Sequence, residues 1–305
     1  MNEYCSNCQQ SSSYPMVRST WARAALNKIE NDRCLQAIDR TKWYRLSRHD
    51  LLDDEYQERF YELNEDEDTK QFIKQSEEKS ENVFLQIIHS FMTSLLTLFI
   101  TRTSANGLIG RGRMFVYSTT QFKTLLDIES DSKSPYTTLL DIGAGDGSIT
   151  ERMASIFQKV YVTELSPAMQ WRLSTSGYTV LDTDQWGDNH FDVITCLNVL
   201  DRCENPLQLL KQIHDHLNPK TGRLILSLVL PFKPYFEYSN NHRPTESLQI
   251  EGDLPEEQIN SFLSNVIQPL GFHLEKFTRL PYLCEGDIER SYYFLFDYVF
   301  VFAIS

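Results

Sequence analysis

The amino-acid sequence predicts an α/β fold built on a parallel, doubly wound sheet. From residue 137 onward, short apolar segments alternate with segments of helical periodicity, and turn-forming residues separate them. Strands that are separated by helices of about ten or more residues pair in parallel, with the helices packed on the two faces of the sheet. The 305-residue chain is 41% apolar, which is enough for a sizeable core.

Seven strands and four long helices are predicted in this part of the chain. The strands are residues 137–142, 159–164, 178–181, 191–197, 222–230, 272–277 and 292–302. The helices are residues 148–157, 167–174, 206–217 and 256–270, and Gly271 caps the last of them. Because no helix separates the last two strands, we expect them to pair antiparallel at one edge of the sheet.

Three regions are expected along the chain. Residues 1–40 are polar and irregular, which predicts a flexible tail. Residues 41–112 predict a helical extension that ends in a glycine-rich loop, and residues 113–305 form the α/β domain. Three glycines within residues 107–112 indicate a backbone that approaches a ligand closely. The candidate ligand contacts in this loop are Gly110 and Arg111.

Two segments of the extension carry a helical pattern. Apolar residues recur every three or four positions over residues 43–63, which predicts a helix there. Residues 83–100 are the most hydrophobic segment of the chain, but polar residues such as Gln86 and His89 interrupt it. A buried amphipathic helix is therefore favoured over a membrane span, and stable membrane insertion is not expected.

Charge and cysteine content restrict the expected partners and compartment. The formal net charge is −13, and such a chain repels phosphate backbones, so a nucleic-acid partner is not expected. Six scattered cysteines indicate reduced thiols and an intracellular, most simply cytoplasmic, protein. Cys5 and Cys8 resemble half a zinc site, but no second pair follows at ligand spacing, so no metal is predicted. The first residues do not resemble a signal peptide.

The strongest motif joins the first predicted strand to its helix, at residues 139–147. Its glycines let the backbone come against a ligand at the carboxyl end of a strand. The dinucleotide fingerprint needs glycine at the position of Ser148, and Asp141 and Asp146 would repel a pyrophosphate. A cofactor with an ammonium and a sulfonium fits better, so S-adenosylmethionine is favoured over NAD; the alternative is a tight turn without a ligand. The predicted contacts are Asp141, Gly143, Ala144 and Gly145.

Acidic residues end the next two strands. Glu164 lies about 20 positions after the glycine loop, where a carboxylate accepts hydrogen bonds from ribose hydroxyls. The alternative is that it caps the next helix, a role that Ser166 also fits. Asp184 is a candidate contact for the adenine amino group, with Trp186 beside the ring. The alternative for Asp184 is a surface turn.

The fourth strand delivers Asn198 and Asp201 to the edge of the sheet where the transferred group would lie. These residues are three apart and so lie on one side of a turn. A carboxylate there can act as a base or can orient an N–H donor. The alternative is a pair that caps the following helix.

Six segments of the sequence closely resemble the DREV family of methyltransferases, also called methyltransferase-like protein nine. They are residues 102–112, 139–147, 163–166, 196–203, 228–232 and 278–287. The resemblance runs from Trp43 to the C-terminus. It implies a seven-stranded, Rossmann-like, class I S-adenosylmethionine-dependent methyltransferase fold with an N-terminal helical extension.

The resemblance also implies a reaction. Family members methylate the pros nitrogen (Nδ1) of histidine in His-x-His motifs of proteins, where x is small, and the product is 1-methylhistidine. It implies a cofactor held by Asp141, Gly143, Gly145 and Glu164. It implies a target imidazole near Asn198, Asp201, Tyr282 and Tyr293. Association with the endoplasmic reticulum or mitochondria is a further implication, although this chain does not begin with the hydrophobic leader of many relatives.

Three other functions stay open from sequence. A methyltransferase that acts on small molecules would have a mostly enclosed pocket. A catalytically silent cofactor-binding scaffold would act through its N-terminal helices. Finally, residues 83–100 could attach the protein to a membrane.

Overall fold

The computed structural model describes residues 20–82, 86, 88–89, 91–93, 97, 107–129, 134–236 and 242–304. Several sequence expectations lie outside these ranges. They are the first half of the predicted tail with the Cys5 and Cys8 pair, most of the predicted helix over 83–100, and residues 102–106 before the glycine-rich loop.

Eight strands of the described chain form one mixed sheet in the order β1-β7-β8-β6-β5-β2-β3-β4. The strands are β1 (Met114–Phe115), β2 (Thr138–Ile142), β3 (Lys159–Thr163), β4 (Thr179–Leu181), β5 (Val193–Leu197), β6 (Arg223–Val229), β7 (Phe272–Glu285) and β8 (Tyr292–Ile304). β2 to β6 are mutually parallel, and β8 is antiparallel to both β6 and β7. The predicted doubly wound sheet with an antiparallel final pair is confirmed.

The sequence missed part of one edge of this sheet. β1 has only two residues, too few to show a periodic pattern, and it pairs with Leu283 and Cys284 of β7. β7 continues eight residues beyond the predicted end at Phe277. Pro281 lacks an N–H and normally argues against a strand, but at a sheet edge it interrupts no ladder between two partners. Its position on β7 is opposite Phe296.

Helices cover both faces of the sheet. In chain order they are α1 (Thr20–Gln36), α2 (Asp54–Gln57), α3 (Glu67–Glu81), α4 (Thr119–Leu125), α5 (Thr150–Ala154), α6 (Pro167–Thr175), α7 (Pro206–His216) and α8 (Pro255–Phe262). A π turn (Leu263–Ile267) and a 3₁₀ turn (Gln268–Leu270) extend α8 to Gly271, whose φ of 85° ends it as predicted. In the described part of the chain, no helix combines the length and apolar character that a membrane span requires.

Two predictions about the N-terminal region are wrong in detail. Residues 20–36 of the predicted tail form α1, because Lys28 reaches across to Ser80 and Ser291, each at 2.8 Å. The helical structure in residues 43–63 is limited to 3₁₀ turns (Arg40–Tyr44 and His49–Leu51) and the single turn α2, and Phe60 bridges to Phe277 of β7. The apolar spacing there reflects burial of Leu52 and Tyr56 against the core, not a continuous helix.

One cysteine also differs from expectation. Cys34, in α1, is disulfide-bonded, whereas the sequence predicted reduced thiols throughout. The cysteines at positions 196, 203 and 284 are free thiols.

The N-terminal extension is fastened to the core through Glu256 at the start of α8. This carboxylate is fully buried, and its Oε1 accepts hydrogen bonds from the backbone amides of Ser47 and Arg48 at 2.9 and 3.0 Å. A buried carboxylate is costly unless donors satisfy it, so these two amide contacts stabilise the junction.

We expect Glu256→Ala to lower the free energy of unfolding by about 2 kcal/mol, because it removes the buried acceptor of two backbone amides. Urea unfolding followed by circular dichroism measures the change. Glu62→Ala is the matched control: its partner is Arg45 at 3.0 Å on the surface, and the loss should stay under about 0.5 kcal/mol. Equal losses in the two variants would contradict the anchoring role of Glu256.

Candidate active site

The carboxyl ends of β2 and β5 lie side by side, with Ile142 opposite Cys196. From β2 the chain builds β3 and β4 on one side of the sheet and then returns to build β5 and β6 on the other. Ligands of open α/β sheets bind in the crevice at such a switch point. The segments that follow β2, β3 and β5 therefore meet at one crevice, which brings together the candidate residues of all three.

The glycine loop after β2 turns its backbone toward this crevice. Gly143 and Gly145 have φ values of 69° and 58°, a region that favours glycine. A Cβ atom on Gly143 would lie 2.7 Å from Cγ2 of Val199, so no side chain fits there without moving the segment after β5. A Cβ atom on Gly145 would meet no described atom within 4 Å. Gly145 therefore borders open space, and Ala144 between them donates its amide to the Thr163 carbonyl at 3.0 Å.

Asp141 lies beneath the loop. It is 2% exposed, and its two oxygens accept hydrogen bonds from the hydroxyls of Thr150 at 2.6 Å and Thr195 at 2.7 Å. Burial raises its pKa to about 6, and the two threonine hydroxyls oppose that rise. These contacts join β2, α5 and β5. A direct contact between Asp141 and the cofactor stays a prediction.

Glu164, directly after β3, holds the loop from the other side. Its Oε2 accepts from the Gly145 amide at 3.0 Å, and its Oε1 accepts from the Ser166 amide at 2.9 Å. Ser166 is the N-cap of α6 and accepts from the Met169 amide, so Glu164 is not the helix cap. Each carboxylate oxygen can accept a second hydrogen bond, as the predicted ribose contact requires.

The structure places the two residues predicted near the adenine in different surroundings. Asp184 is exposed in the turn after β4. Trp186 is buried, and its ring packs edge-on against His216 at 5.1 Å between centroids. Trp186 is therefore a core residue, and the expectation that it flanks the adenine is wrong. The role of Asp184 stays a prediction.

Two buried acceptor oxygens follow β5. Asn198 has a left-handed backbone with φ 55°, and its Nδ2 donates to Asp297 at 2.8 Å. The side chain of Asp201 is 14% exposed, and its Oδ2 accepts from Nε of Arg202 at 3.1 Å. Burial raises the pKa of Asp201, and Arg202 lowers it. Oδ1 of Asn198 and Oδ1 of Asp201 are both buried and have no hydrogen-bond partner among the described residues.

Two tyrosines on the antiparallel pair lie on one sheet face with Asp297, because side chains alternate along a strand. The Tyr282 hydroxyl donates to Sδ of Met114 at 2.6 Å. Its pKa is raised first by burial and then by several negative groups, Asp297 and Asp201 among them. The Tyr293 hydroxyl donates to the Asp287 carboxylate at 3.2 Å. Tyr282 is thus within electrostatic reach of both carboxyls, whereas the hydroxyl of Tyr293 is directed to the β7–β8 hairpin.

The segment 107–112 lies over the glycine loop. Arg172 of α6 donates to the Gly107 carbonyl at 2.5 Å and to the Asp146 carbonyl at 3.1 Å. Lys79 of α3 donates to the Gly110 carbonyl at 2.7 Å. These contacts bring the segment that contains Gly110 and Arg111 to the rim of the crevice, and their contact with a cofactor stays a prediction.

Sequence reasoning missed Asp297. It is a single carboxylate inside the aromatic run of β8, and an isolated charge in an apolar strand was the signal that could have indicated it. Its partner Asn198 is 99 positions away, so no local pattern connects the two residues.

The sheet order, in which β8 runs antiparallel between β6 and β7, and the glycine loop at the switch point define a Rossmann-like, class I methyltransferase. A family model described as DREV methyltransferase matches residues 43–304. The chain belongs to the DREV methyltransferase family, and its cofactor is S-adenosylmethionine. The suspected family and the predicted cofactor are confirmed.

Several solved structures share a distant likeness. The magnesium protoporphyrin IX methyltransferase of Synechocystis PCC 6803 with bound SAM is 16% identical, with a TM-score of 0.39 over 61% of this chain and 78% of that one. The N-methyltransferase NodS of Bradyrhizobium japonicum WM9 with S-adenosylhomocysteine is 15% identical, with a TM-score of 0.37 over 61% and 85%. The [4+2]-cyclase SpnF is 15% identical, with a TM-score of 0.41 over 64% and 74%.

The residues around the crevice fit the cofactor. S-adenosylmethionine has a sulfonium and an ammonium, which buried acceptor oxygens favour. The contact of Glu164 with its ribose hydroxyls stays a prediction. The open space beside Gly145 leaves room for a ligand against the loop backbone.

Gly145→Leu should weaken the binding of S-adenosylhomocysteine by about 100-fold or more, because the new side chain would occupy the open space beside the loop. Isothermal calorimetry measures the affinity. Gly177→Leu is the matched control: Gly177 has φ 90° and also no described atom within 4 Å of a built Cβ, but it follows α6 away from the crevice.

Both substitutions force a left-handed leucine and should cost a similar free energy, about 1–2 kcal/mol. Only Gly145→Leu should change the affinity. Unchanged binding in Gly145→Leu would contradict the assignment of the open space to the cofactor.

Proposed function

We propose that this methyltransferase modifies histidine side chains of proteins at Nδ1, in His-x-His motifs where x is small. The observation that carries the proposal is the buried Oδ1 of Asp201, which lacks a partner among the described residues. A buried acceptor without a partner is unfavourable, and an N–H donor from a bound ligand would satisfy this one. A neutral imidazole brings one N–H and, on its other nitrogen, one lone pair.

Imidazole suits this site because it needs little activation. Its unperturbed pKa of about 6.5 leaves most of it neutral and nucleophilic at pH 7. S-adenosylmethionine, when bound, supplies an electrophilic methyl group on a sulfonium. The chain's own residues therefore have to hold the ring in one orientation and one tautomer, and near-attack positioning can contribute several kcal/mol, about 7 or more in well-oriented systems.

Asp201 selects the tautomer in this proposal. Its Oδ1 accepts the hydrogen bond from Nε2–H, which leaves the Nδ1 lone pair free to face the methyl group. The carboxylate also stabilises the positive charge that the ring acquires as it is methylated. Arg202, which donates to Oδ2 of Asp201 at 3.1 Å, lowers the pKa of this largely buried carboxyl against the rise that burial causes.

The remaining candidates would surround the ring. Tyr282 lies within electrostatic reach of Asp201 and offers an aromatic wall. Tyr293 would contribute its ring, since its hydroxyl is held by Asp287. Asn198 offers its unpartnered Oδ1 from the same segment as Asp201.

Asp201→Asn should bind cofactor with normal affinity but transfer methyl groups about 100-fold more slowly or worse, because a charge-stabilising group is lost while the shape is kept. Calorimetry with S-adenosylhomocysteine and single-turnover transfer from radiolabelled cofactor to a His-x-His peptide provide the two measurements. Asp215→Asn on α7 is the matched control, since its side chain is 74% exposed. Turnover close to wild type in Asp201→Asn would reduce Asp201 to a structural residue.

The product isomer tests the orientation of the ring. If Asp201 holds Nε2–H, peptides containing His-Ala-His should yield the pros isomer with little tele isomer, and a bulky central residue should slow the reaction. Amino-acid analysis that resolves the isomers is the measurement, and a peptide with both histidines replaced by alanine is the control. A mainly tele product would show that the ring lies the other way round.

Methylation of free histidine but of no peptide would favour the small-molecule alternative, and binding of the cofactor without any methyl transfer would favour the catalytically silent scaffold.

A further inference from the structure

A buried carboxyl in the middle of the sheet has no part in the mechanism above. Asp297 of β8 is 0% exposed and lies opposite Val229 of β6 and Leu280 of β7. Burying a carboxyl among apolar strands is costly unless it is paired. Its hydrogen-bond partner therefore indicates what the residue does.

That partner is the side chain of Asn198, whose Nδ2 lies 2.8 Å from Oδ2 of Asp297. The backbone of Asn198 is fixed as well: its φ is 55°, and its amide donates to the Ser227 carbonyl at 3.2 Å. β6 thus holds the backbone, and β8 holds the side chain. The residue has little freedom to turn.

Burial raises the pKa of Asp297 to about 7, so at pH 8 most of it is the carboxylate. An asparagine amide has a donor end and an acceptor end, whereas the ionised carboxylate only accepts. Beside ionised Asp297, as the 2.8 Å contact from Nδ2 to Oδ2 has it, the NH₂ group points to the carboxylate and Oδ1 of Asn198 points away from it. That oxygen is buried and finds no partner in the described ranges. It lies in the same segment as Oδ1 of Asp201, which is unpartnered in the same way.

The two carboxyls and Tyr282 lie within electrostatic reach of one another. Asp201 and Asp297 each raise the pKa of the Tyr282 hydroxyl, and Asp201 contributes to a raised pKa of Asp297, for which burial is the main cause. Asp297 is thus adjacent to the candidate acceptor site but reaches it through Asn198.

We infer that Asp297 is a positioning residue that fixes the polarity of Asn198, with the amide NH₂ turned into the sheet and Oδ1 offered to the crevice as an acceptor. The crevice then presents two acceptor oxygens, from Asn198 and Asp201, and selects ligands that bring N–H groups, such as an imidazole or the ammonium of the cofactor. The inference rests on the proposed function in so far as that function puts Asn198 beside the bound ligands.

An exchange of the two side chains tests this inference. Asn198→Asp alone sets two carboxyls about one hydrogen-bond length apart, and should lower both the affinity for S-adenosylhomocysteine and the single-turnover rate by about 100-fold at pH 8. Asp297→Asn alone leaves the direction of the Asn198 amide unspecified and should lower the rate by about 10-fold. In the double variant, the amide at position 297 donates to the carboxylate at position 198, whose second oxygen again faces the crevice.

The double variant should therefore regain affinity and rate to within about 10-fold of wild type, well above Asn198→Asp alone. Glu256→Gln is the control for the change of a fully buried carboxyl outside the crevice, and it should leave the affinity unchanged at temperatures where it is folded. Thermal unfolding of every variant separates loss of folding from loss of binding.

A double variant that binds and reacts no better than Asn198→Asp overturns the inference. So does a double variant that recovers thermal stability alone, because the hydrogen bond would then be only structural. If the wild-type protein methylates no His-x-His peptide, the proposed function fails. The affinity arm, measured with S-adenosylhomocysteine and no acceptor, still decides the role of Asp297 in that case.

Discussion

The carboxylate of Asp141, with hydroxyls from Thr150 and Thr195 donating to its two oxygens, is the contact on which the rest of the crevice depends. It joins the central strand β2 to β5 and to the helix that follows the glycine loop. The loop is held on its other side by the Thr163 carbonyl and by Glu164. Its left-handed glycines are therefore fixed before any ligand arrives, and a preorganised backbone reduces the entropy lost on binding.

The unpartnered groups in the segment after β5 are acceptor oxygens, those of Asn198 and Asp201, whereas the nearby arginines hold the chain in place. Arg202 donates to Asp201, and Arg172 donates to the Asp146 carbonyl in the glycine loop and to the Gly107 carbonyl in the segment over it. This division suits a cofactor with a sulfonium and an ammonium, and it suits an acceptor that arrives as an N–H donor with a free lone pair. It is unfavourable for a pyrophosphate, in agreement with the sequence argument from Asp141 and Asp146.

The features that sequence predicted are those with a local pattern. Alternation of apolar strands and helices predicted that the strands β2 to β8 follow one another along the chain. The spacing of Gly143 and Gly145 predicted the glycine loop. The rest depends on long-range contacts. Burial of Trp186 against His216 and pairing of Asn198 with Asp297 join segments that no short window contains. α1 was missed because polar contacts with distant serines hold it against the rest of the chain. The end of β7 was missed because a proline lies inside that strand.

The N-terminal extension reaches the crevice through β7. The guanidinium of Arg279 lies 3.8 Å above the Phe296 ring and donates to backbone carbonyls of Lys42 and Arg45, which fixes the start of the extension to the antiparallel pair. Lys79 of α3 then bridges Glu285, at the end of β7, and the Gly110 carbonyl at the crevice rim. Tyr282 lies between these two attachment points on the same strand. The extension therefore holds in place both the strand that carries Tyr282 and the segment that lies over the glycine loop, so it supports the crevice as well as the fold.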